Sequence, residues 1–226
     1  MADPLEDARV NVLGTLATLN AAQIGGVARF VYVSTGGAVY GDVTEYPTPE
    51  TSPISPESPY GTSKYSGEMY TRLFNRLHGM STATLRLANI YGPRQDAHGE
   101  GGVVAIFSKA MVSSTQVTVN GDGLQTRDFV MVDDVVSACL AAANSSFTGA
   151  CNIATGQETS VLDLIDGLQA AAGGELDFKH GPERDGEVRR SVLDPSLAAQ
   201  AIGWHSAIGL EQGLKATLAW QQSTLS

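Results

Sequence analysis

Tyr60 and Lys64 stand four residues apart in the stretch Ser58-Pro59-Tyr60-Gly61-Thr62-Ser63-Lys64. On a helix that spacing puts a phenol and an ammonium on one face. A free tyrosine titrates near pH ~10, and a fixed positive charge beside it can lower that value by about 1–3 pH units. The pair could then act as a general base that takes a proton from an alcohol. A third hydroxyl, from Ser34 or Thr35 in Ser34-Thr35-Gly36-Gly37-Ala38-Val39-Tyr40-Gly41, would relay the proton or hold the substrate oxygen. With seven tyrosines and four lysines in 226 residues, Tyr-x-x-x-Lys arises by chance roughly one time in eight. Its surroundings must decide.

The pair needs a helix, and residues 57–77 read as one, entered through a proline-rich polar loop over 42–59. Tyr65, Met69, Leu73 and Leu77 extend its i, i+4 row. The hydroxyls need the end of a strand, and residues 29–34 supply it: a β-rich run ending in small residues, as in a buried parallel strand. Ligands of open α/β sheets bind outside such carboxyl ends, and Gly36-Gly37 would let one approach the backbone. Upstream, residues 3–23 read as a helix with Pro4 in its first turn, an apolar side of Val10, Leu13, Leu16, Ala17 and Leu19, and a Gly25-Gly26 stop. Asn11 sits among these residues as a helix-face amide or a ligand contact.

Downstream, strand 82–87 runs into Ala88-Asn89-Ile90-Tyr91-Gly92-Pro93-Arg94. A helix over 103–111 begins at Val103, its N-terminus suited to an anion. Strands follow at 116–119, 126–132, 151–154 and 176–179, with a turn at Asn120-Gly121-Asp122-Gly123. Helices are expected from Asp133 to residue 143, from the Ser160 cap to 172, at 195–201 and at 210–222. A loop over 181–190 carries three arginines. The alternation predicts an α/β sheet.

The formal net charge is −10 and the pI about 4.7. A nucleic-acid binder would carry a basic stripe, and the longest cationic cluster is Arg189-Arg190, so nucleic acid is not the expected partner. No apolar run approaches the ~20 residues of a membrane span, and residues 1–7 carry acidic charge where a signal peptide needs basic charge; no membrane role is expected and the cytoplasm is the default. Cys139 and Cys151 read as free core residues.

Taken together, Asn11-Val12-Leu13-Gly14-Thr15, the 34–41 segment, Tyr60 to Lys64, Asn89-Ile90-Tyr91-Gly92-Pro93-Arg94-Gln95, Gly121-Asp122-Gly123 with Arg127-Asp128, and Val132-Asp133-Asp134-Val135 resemble the extended short-chain dehydrogenase/reductases. Within them the likeness is to the NAD-dependent epimerase/dehydratase family, most closely to bacterial UDP-glucose 4-epimerases, and it covers essentially the whole chain. The resemblance implies a partial Rossmann-like parallel sheet with a smaller C-terminal α/β substrate lobe. Residues 1–90 would be the later part of the cofactor domain and 91–226 mainly the lobe, some segments returning to the sheet. The family's glycine-rich turn is absent from this sequence. That implies an N-terminally truncated chain, one expected to bind NAD poorly alone.

By resemblance Tyr60 is the base at the sugar 4-hydroxyl, Lys64 lowers its pKa and holds the nicotinamide ribose, and NAD takes and returns the hydride at C4. Thr35 is the implied third hydroxyl, with Ser34 the alternative, since many relatives use a serine where Gly36 stands. Related 4,6-dehydratases carry Asp-Glu at Gly36-Gly37, so dehydration is not expected, while 4-ketoreduction stays open. Cofactor contacts fall on Asn11, Ser34, Tyr60 and Lys64. Nucleotide-sugar contacts fall on Asn89, Val103, Arg127, Arg184 and Glu187, arginine suiting phosphate through its planar fork. No metal is implied. Asn120 stands where relatives often stack an aromatic residue on uracil, which leaves the nucleotide open. The helices over 3–23 and 57–77 are implied to form a homodimer contact, and an inactive fragment that merely dimerises is the non-enzymatic alternative.

Overall fold

The computed structural model describes residues 3–98, 102–184 and 188–225. In chain order the elements are α1 (Pro4–Ala8), a π-helical turn (Arg9–Leu13), α2 (Gly14–Ile24), β1 (Arg29–Thr35), α3 (Gly36–Val39), α4 (Pro59–His78), β2 (Ser81–Leu87) and β3 (Asn89–Tyr91). Then come α5 (Val103–Ser113), β4 (Val117–Asn120), β5 (Thr126–Arg127), β6 (Phe129–Met131), α6 (Val132–Asn144) and β7 (Gly149–Ile153). The chain continues with β8 (Thr159–Ser160), α7 (Val161–Ala172), β9 (Phe178–Gly181), β10 (Arg190–Ser191), α8 (Ser196–Ile202) and α9 (Leu210–Leu225).

Two compact units result. The first takes residues 1–88, 136–153 and 193–205. Its sheet is parallel, in the order β1-β2-β7, with Ser34 opposite Arg86 and Arg86 opposite Asn152. Helix α4 starts cleanly because Ser58 accepts from the Gly61 N–H and Pro59 fills a first-turn position that needs no donor. It ends at Gly79 in the left-handed conformation. Two glycines set α4 flush against its neighbours: a Cβ on Gly67 would lie 2.2 Å from Tyr32 Oη, and one on Gly61 2.3 Å from the Ala38 carbonyl.

The second unit takes residues 89–135, 154–192 and 206–226. β3 pairs with β6 and β4 with β9, both parallel, while β5 lies between β10 and β8. Its core is apolar, with Leu164, Ile165, Leu168 and Leu214 fully enclosed together with Tyr91, Met131 and Val104. Ser160 and Asp163 form a reciprocal capping box that fixes the start of α7.

Several sequence expectations change. The helix over 3–23 is helical throughout but passes through the π turn, and of its expected apolar side Val10 and Leu13 are exposed while Leu19 is buried. In the α4 row, Met69 and Leu77 are likewise exposed. The strand expected over 126–132 breaks at Asp128, whose buried carboxylate leaves the ladder to accept the Thr155 N–H, the Thr155 hydroxyl and the Gly156 N–H at 2.9, 2.6 and 2.9 Å. Gly36 opens a short helix, and a Cβ there would meet Leu193 at 2.2 Å. Its missing side chain makes room for that leucine, where the sequence suggested room for a ligand.

Candidate active site

β1 and α4 carry the candidate catalytic groups. β1 delivers Val33, Ser34 and Thr35 at its carboxyl end, and the first two turns of α4 deliver Tyr60 and Lys64. The Lys64 ammonium donates to the Val33 carbonyl at 2.6 Å and lies 4.7 Å from the centre of the Tyr32 ring. Tyr32 in turn donates its hydroxyl to the Lys64 carbonyl at 3.2 Å. Helix and strand are thus tied at the level of Lys64.

Tyr60 is 47% exposed, and its hydroxyl has no hydrogen-bond partner among the described residues. Its pKa is raised, first by burial of the phenol and then by the Asp7 carboxylate. Lys64 is lowered by burial, against which the Glu68 and Asp7 carboxylates pull upward. This corrects the sequence expectation that Lys64 brings Tyr60 down. The ammonium spends one donor on the Val33 carbonyl and lies over the Tyr32 ring, and the Asp7 carboxylate acts on both Tyr60 and Lys64.

Ser34 and Thr35 differ. Ser34 is buried and donates to Glu68 Oε1 at 2.5 Å. Thr35 is half-buried, and its hydroxyl has no hydrogen-bond partner among the described residues. Asn11 lies in the π turn, where its side-chain amide donates to Asp7 Oδ1 at 3.0 Å and its backbone carbonyl accepts from the Thr15 hydroxyl at 2.6 Å. The other Asp7 oxygen is buried and unpartnered among the described residues.

The remaining candidates belong to the second unit. Asn89 is exposed at the start of β3, its N–H held by the Asp128 carbonyl at 2.9 Å. Val103 is the first residue of α5, after the Gly102 cap. Arg127 is half-buried and donates to the Thr126 carbonyl at 2.8 Å. Arg184 is exposed and lines a cavity of about 210 Å³ with Asn120, Gly121, Gln125, Glu183 and Arg189. Arg189 is paired with Asp122 through two 2.7 Å hydrogen bonds. Glu187 lies outside the described residues.

Sequence reasoning missed Asp7, Tyr32, Glu68 and Arg86. Glu68 had a signal, because it sits four residues beyond Lys64 on the same helix and so shares its face. Asp7 had none, since its effect on Tyr60 arises only once α1 packs beside α4.

A family model for the NAD dependent epimerase/dehydratase family matches residues 1–154. A UDP-glucose 4-epimerase of Mycolicibacterium smegmatis is 42% identical over 217 residues, 96% of this chain and 69% of that protein. Among solved structures, the UDP-glucose 4-epimerase of Thermotoga maritima with UDP-glucose superposes with a TM-score of 0.96 at 44% identity, over 99% of this chain and 73% of that one. The UDP-glucose 4-epimerase of Thermus thermophilus in complex with NAD gives 0.91 at 38% identity, over 97% and 72%. With two thirds of its length matched by the family model and such relatives spanned over more than two thirds of theirs, this chain belongs to the NAD-dependent epimerase/dehydratase family.

Proposed function

We propose that this nucleotide-sugar epimerase acts at C4 of a UDP-hexose, of the UDP-glucose/UDP-galactose type, with Tyr60 as base, Lys64 as its charged neighbour and Thr35 as the third hydroxyl. The observation that carries the reading is the pair of hydroxyls without a partner among the described residues, Thr35 at the carboxyl end of β1 and Tyr60 in the first turn of α4, with Lys64 fixed to Val33 between strand and helix. Ser34 supports the reading from below, because its proton is spent on Glu68.

The residues present fit the nicotinamide-ribose end of NAD. Lys64 has one acceptor, so two of its three N–H donors are free for ribose hydroxyls, and Asn11 keeps its side-chain carbonyl and one N–H. Bound NAD supplies the hydride acceptor and donor for C4. Tyr60 then takes the 4-hydroxyl proton and returns it, and Thr35 holds the same oxygen. A positive charge arriving beside Tyr60 would offset the burial and the Asp7 carboxylate that hold its pKa up. For the nucleotide-sugar we assign Asn89, Val103, Arg127, Arg184 and Glu187, the arginines facing the diphosphate. We further assign residues 1–90 to the cofactor domain and 91–226 mainly to the substrate lobe. A homodimer through the segments 3–23 and 57–77 is supported by the exposed Leu5, Val10, Leu13, Met69 and Leu77.

The assay follows UDP-glucose and UDP-galactose with no reductant added, in a polypeptide that has the family's glycine-rich turn supplied ahead of residue 1. Interconversion is expected, and Tyr60→Phe should abolish it with an unchanged circular dichroism spectrum, since only one oxygen is lost. Turnover that consumes stoichiometric NADPH would replace epimerisation with ketoreduction.

A further inference from the structure

One turn beyond Lys64, helix α4 buries a carboxylate. Glu68 is 6% exposed. Its Oε1 accepts from Ser34 Oγ at 2.5 Å, and Arg86 reaches both its oxygens, with Nη2 on Oε2 at 2.8 Å and Nε 3.2 Å from each. The network continues away from the site: Arg86 Nη1 donates to Tyr40 Oη at 2.9 Å, and Tyr40 donates to Asn152 Oδ1 at 2.8 Å. The Asn152 amide ends on the carbonyls of Thr48 and Asp194, and its N–H on Glu50.

A buried ion pair is an expensive way to hold two elements together, because well-packed apolar residues of the same volume are often as stabilising or more so. What the charges add is direction. Lys64 grips the Val33 carbonyl, Glu68 grips the next residue, Ser34, and the residue after that is Thr35. Two grips, adjacent on the strand and four residues apart on the helix, fix both the height and the rotation of α4 against the end of β1. The Tyr32 hydroxyl adds a weaker tie to the Lys64 carbonyl at 3.2 Å. Tyr60 lies one turn before Lys64 on the same rigid helix, so its separation from Thr35 is set by the pair of grips.

We propose that Glu68 is a positioning residue of the site: together with Lys64 it clamps the end of β1 to α4 and thereby sets Tyr60 against Thr35. Arg86 holds the carboxylate in place from β2, and Ser34 is the clamp's partner on the strand. This rests on the assignment of Tyr60, Lys64 and Thr35 as the reacting set.

The test separates holding the fold from holding the site. In the 226-residue chain, Glu68→Met combined with Arg86→Met removes the charges as a pair and is expected to fold with a melting temperature near that of the parent. Threonine-methyl and lysine ε-carbon NMR then read the site without any activity. The Thr35 methyl signal is expected to shift and broaden, and the Lys64 titration to move to lower pH, because Glu68 opposes the effect of burial there. Glu68→Asp, which keeps the charge on a shorter arm, should restore part of the Lys64 titration. A folded double variant with an unchanged, sharp Thr35 methyl would overturn the proposal. If the double variant fails to fold, Ser34→Ala serves instead: it removes one grip and leaves the ion pair, and an unmoved Thr35 methyl there also overturns it. In the polypeptide with the glycine-rich turn supplied, the double variant should lose about 10²-fold in epimerase kcat at constant KM relative to its parent, as expected for misplacement of about an ångström; an unchanged kcat would count against the clamp. A parent enzyme with no epimerase activity would count against the proposed function alone, since the NMR readout stands apart from turnover.

Discussion

The two units differ in what they bury. Both enclose apolar clusters, the first around Leu19, Phe74 and Met80, but the first also joins Ser34 of β1, Glu68 of α4, Arg86 of β2, Tyr40 and Asn152 of β7 in one hydrogen-bonded line. The second unit encloses Leu164, Ile165, Leu168 and Leu214 among other apolar side chains. Apolar burial is non-directional and roughly proportional to the area removed from water, so the second core gains stability from almost any arrangement that fills it. A hydrogen-bonded charge pair rewards one arrangement and penalises the rest. The polar core sits under the proposed reacting groups, where position counts most. The electrostatics agree: burial pulls the Arg86 guanidinium downward, yet the Glu68 carboxylate outweighs it and leaves the group above its ordinary value.

This contrast can be broken by substitution. Glu68→Ala should have the largest effect, about 3–5 kcal/mol, because it strands the Arg86 charge in the interior. Replacing both partners with methionine should recover most of that loss in a urea denaturation series. Equal losses for the single and double variants would mean that the pair stabilises in its own right and that direction is not its main contribution.

In the apolar core, Leu164→Ala should cost about 2–5 kcal/mol. No second substitution should rescue it except one that refills the cavity. Gly67→Ala probes the packing of α4 on β1 within the first unit, since its new methyl would press on Tyr32 Oη. A cost of about 1–3 kcal/mol is expected, with Tyr32→Phe partly relieving it by removing the oxygen.

The smallest effect belongs to the exposed pair of Asp122 and Arg189. Arg189 holds the Asp122 carboxyl down at about 2, against an ordinary value of 3.8. A depressed folded pKa contributes stability that is present above the unfolded value and is lost as pH falls toward the folded one. Asp122→Asn should therefore flatten the stability profile between about pH 4 and pH 2 and change nothing at pH 7 beyond the loss of the pair itself, which is small because both partners face water. Acid denaturation followed by tryptophan fluorescence checks this.

Much of the fold was legible because its signals were local. Ser58-Pro59 announces α4, Ser160 with Asp163 announces α7, and the β-rich run ending in Ser34-Thr35 announces a strand opening into a site. What was not legible depends on residues far apart in the chain. β5 and β6 are separate because Asp128 turns toward Thr155 and Gly156, 27 and 28 residues away. The pKa of Tyr60 is raised chiefly because folding buries the phenol, and α1 adds to this by bringing Asp7 beside it. Of the two candidate hydroxyls, the one already spent could be identified only once Glu68 was seen beneath Ser34. Both cysteines are free, as read, but only one is a core residue: Cys139 is half-buried on α6, whereas Cys151 is enclosed in β7 with its thiol pushed up to about 12, chiefly by burial.

Helix α4 has a second consequence, for how the protein is handled. The helix that presents Tyr60 and Lys64 also exposes Met69 and Leu77, and the segment before it exposes Leu5, Val10 and Leu13. If a second copy covers these residues, as proposed, the rigidity of the site becomes a function of protein concentration, because assembly stabilises by mass action. Dilution would then act as a mutation does, loosening α4 from outside. Rates, melting temperatures and NMR line widths measured at micromolar and millimolar chain would describe two different sites.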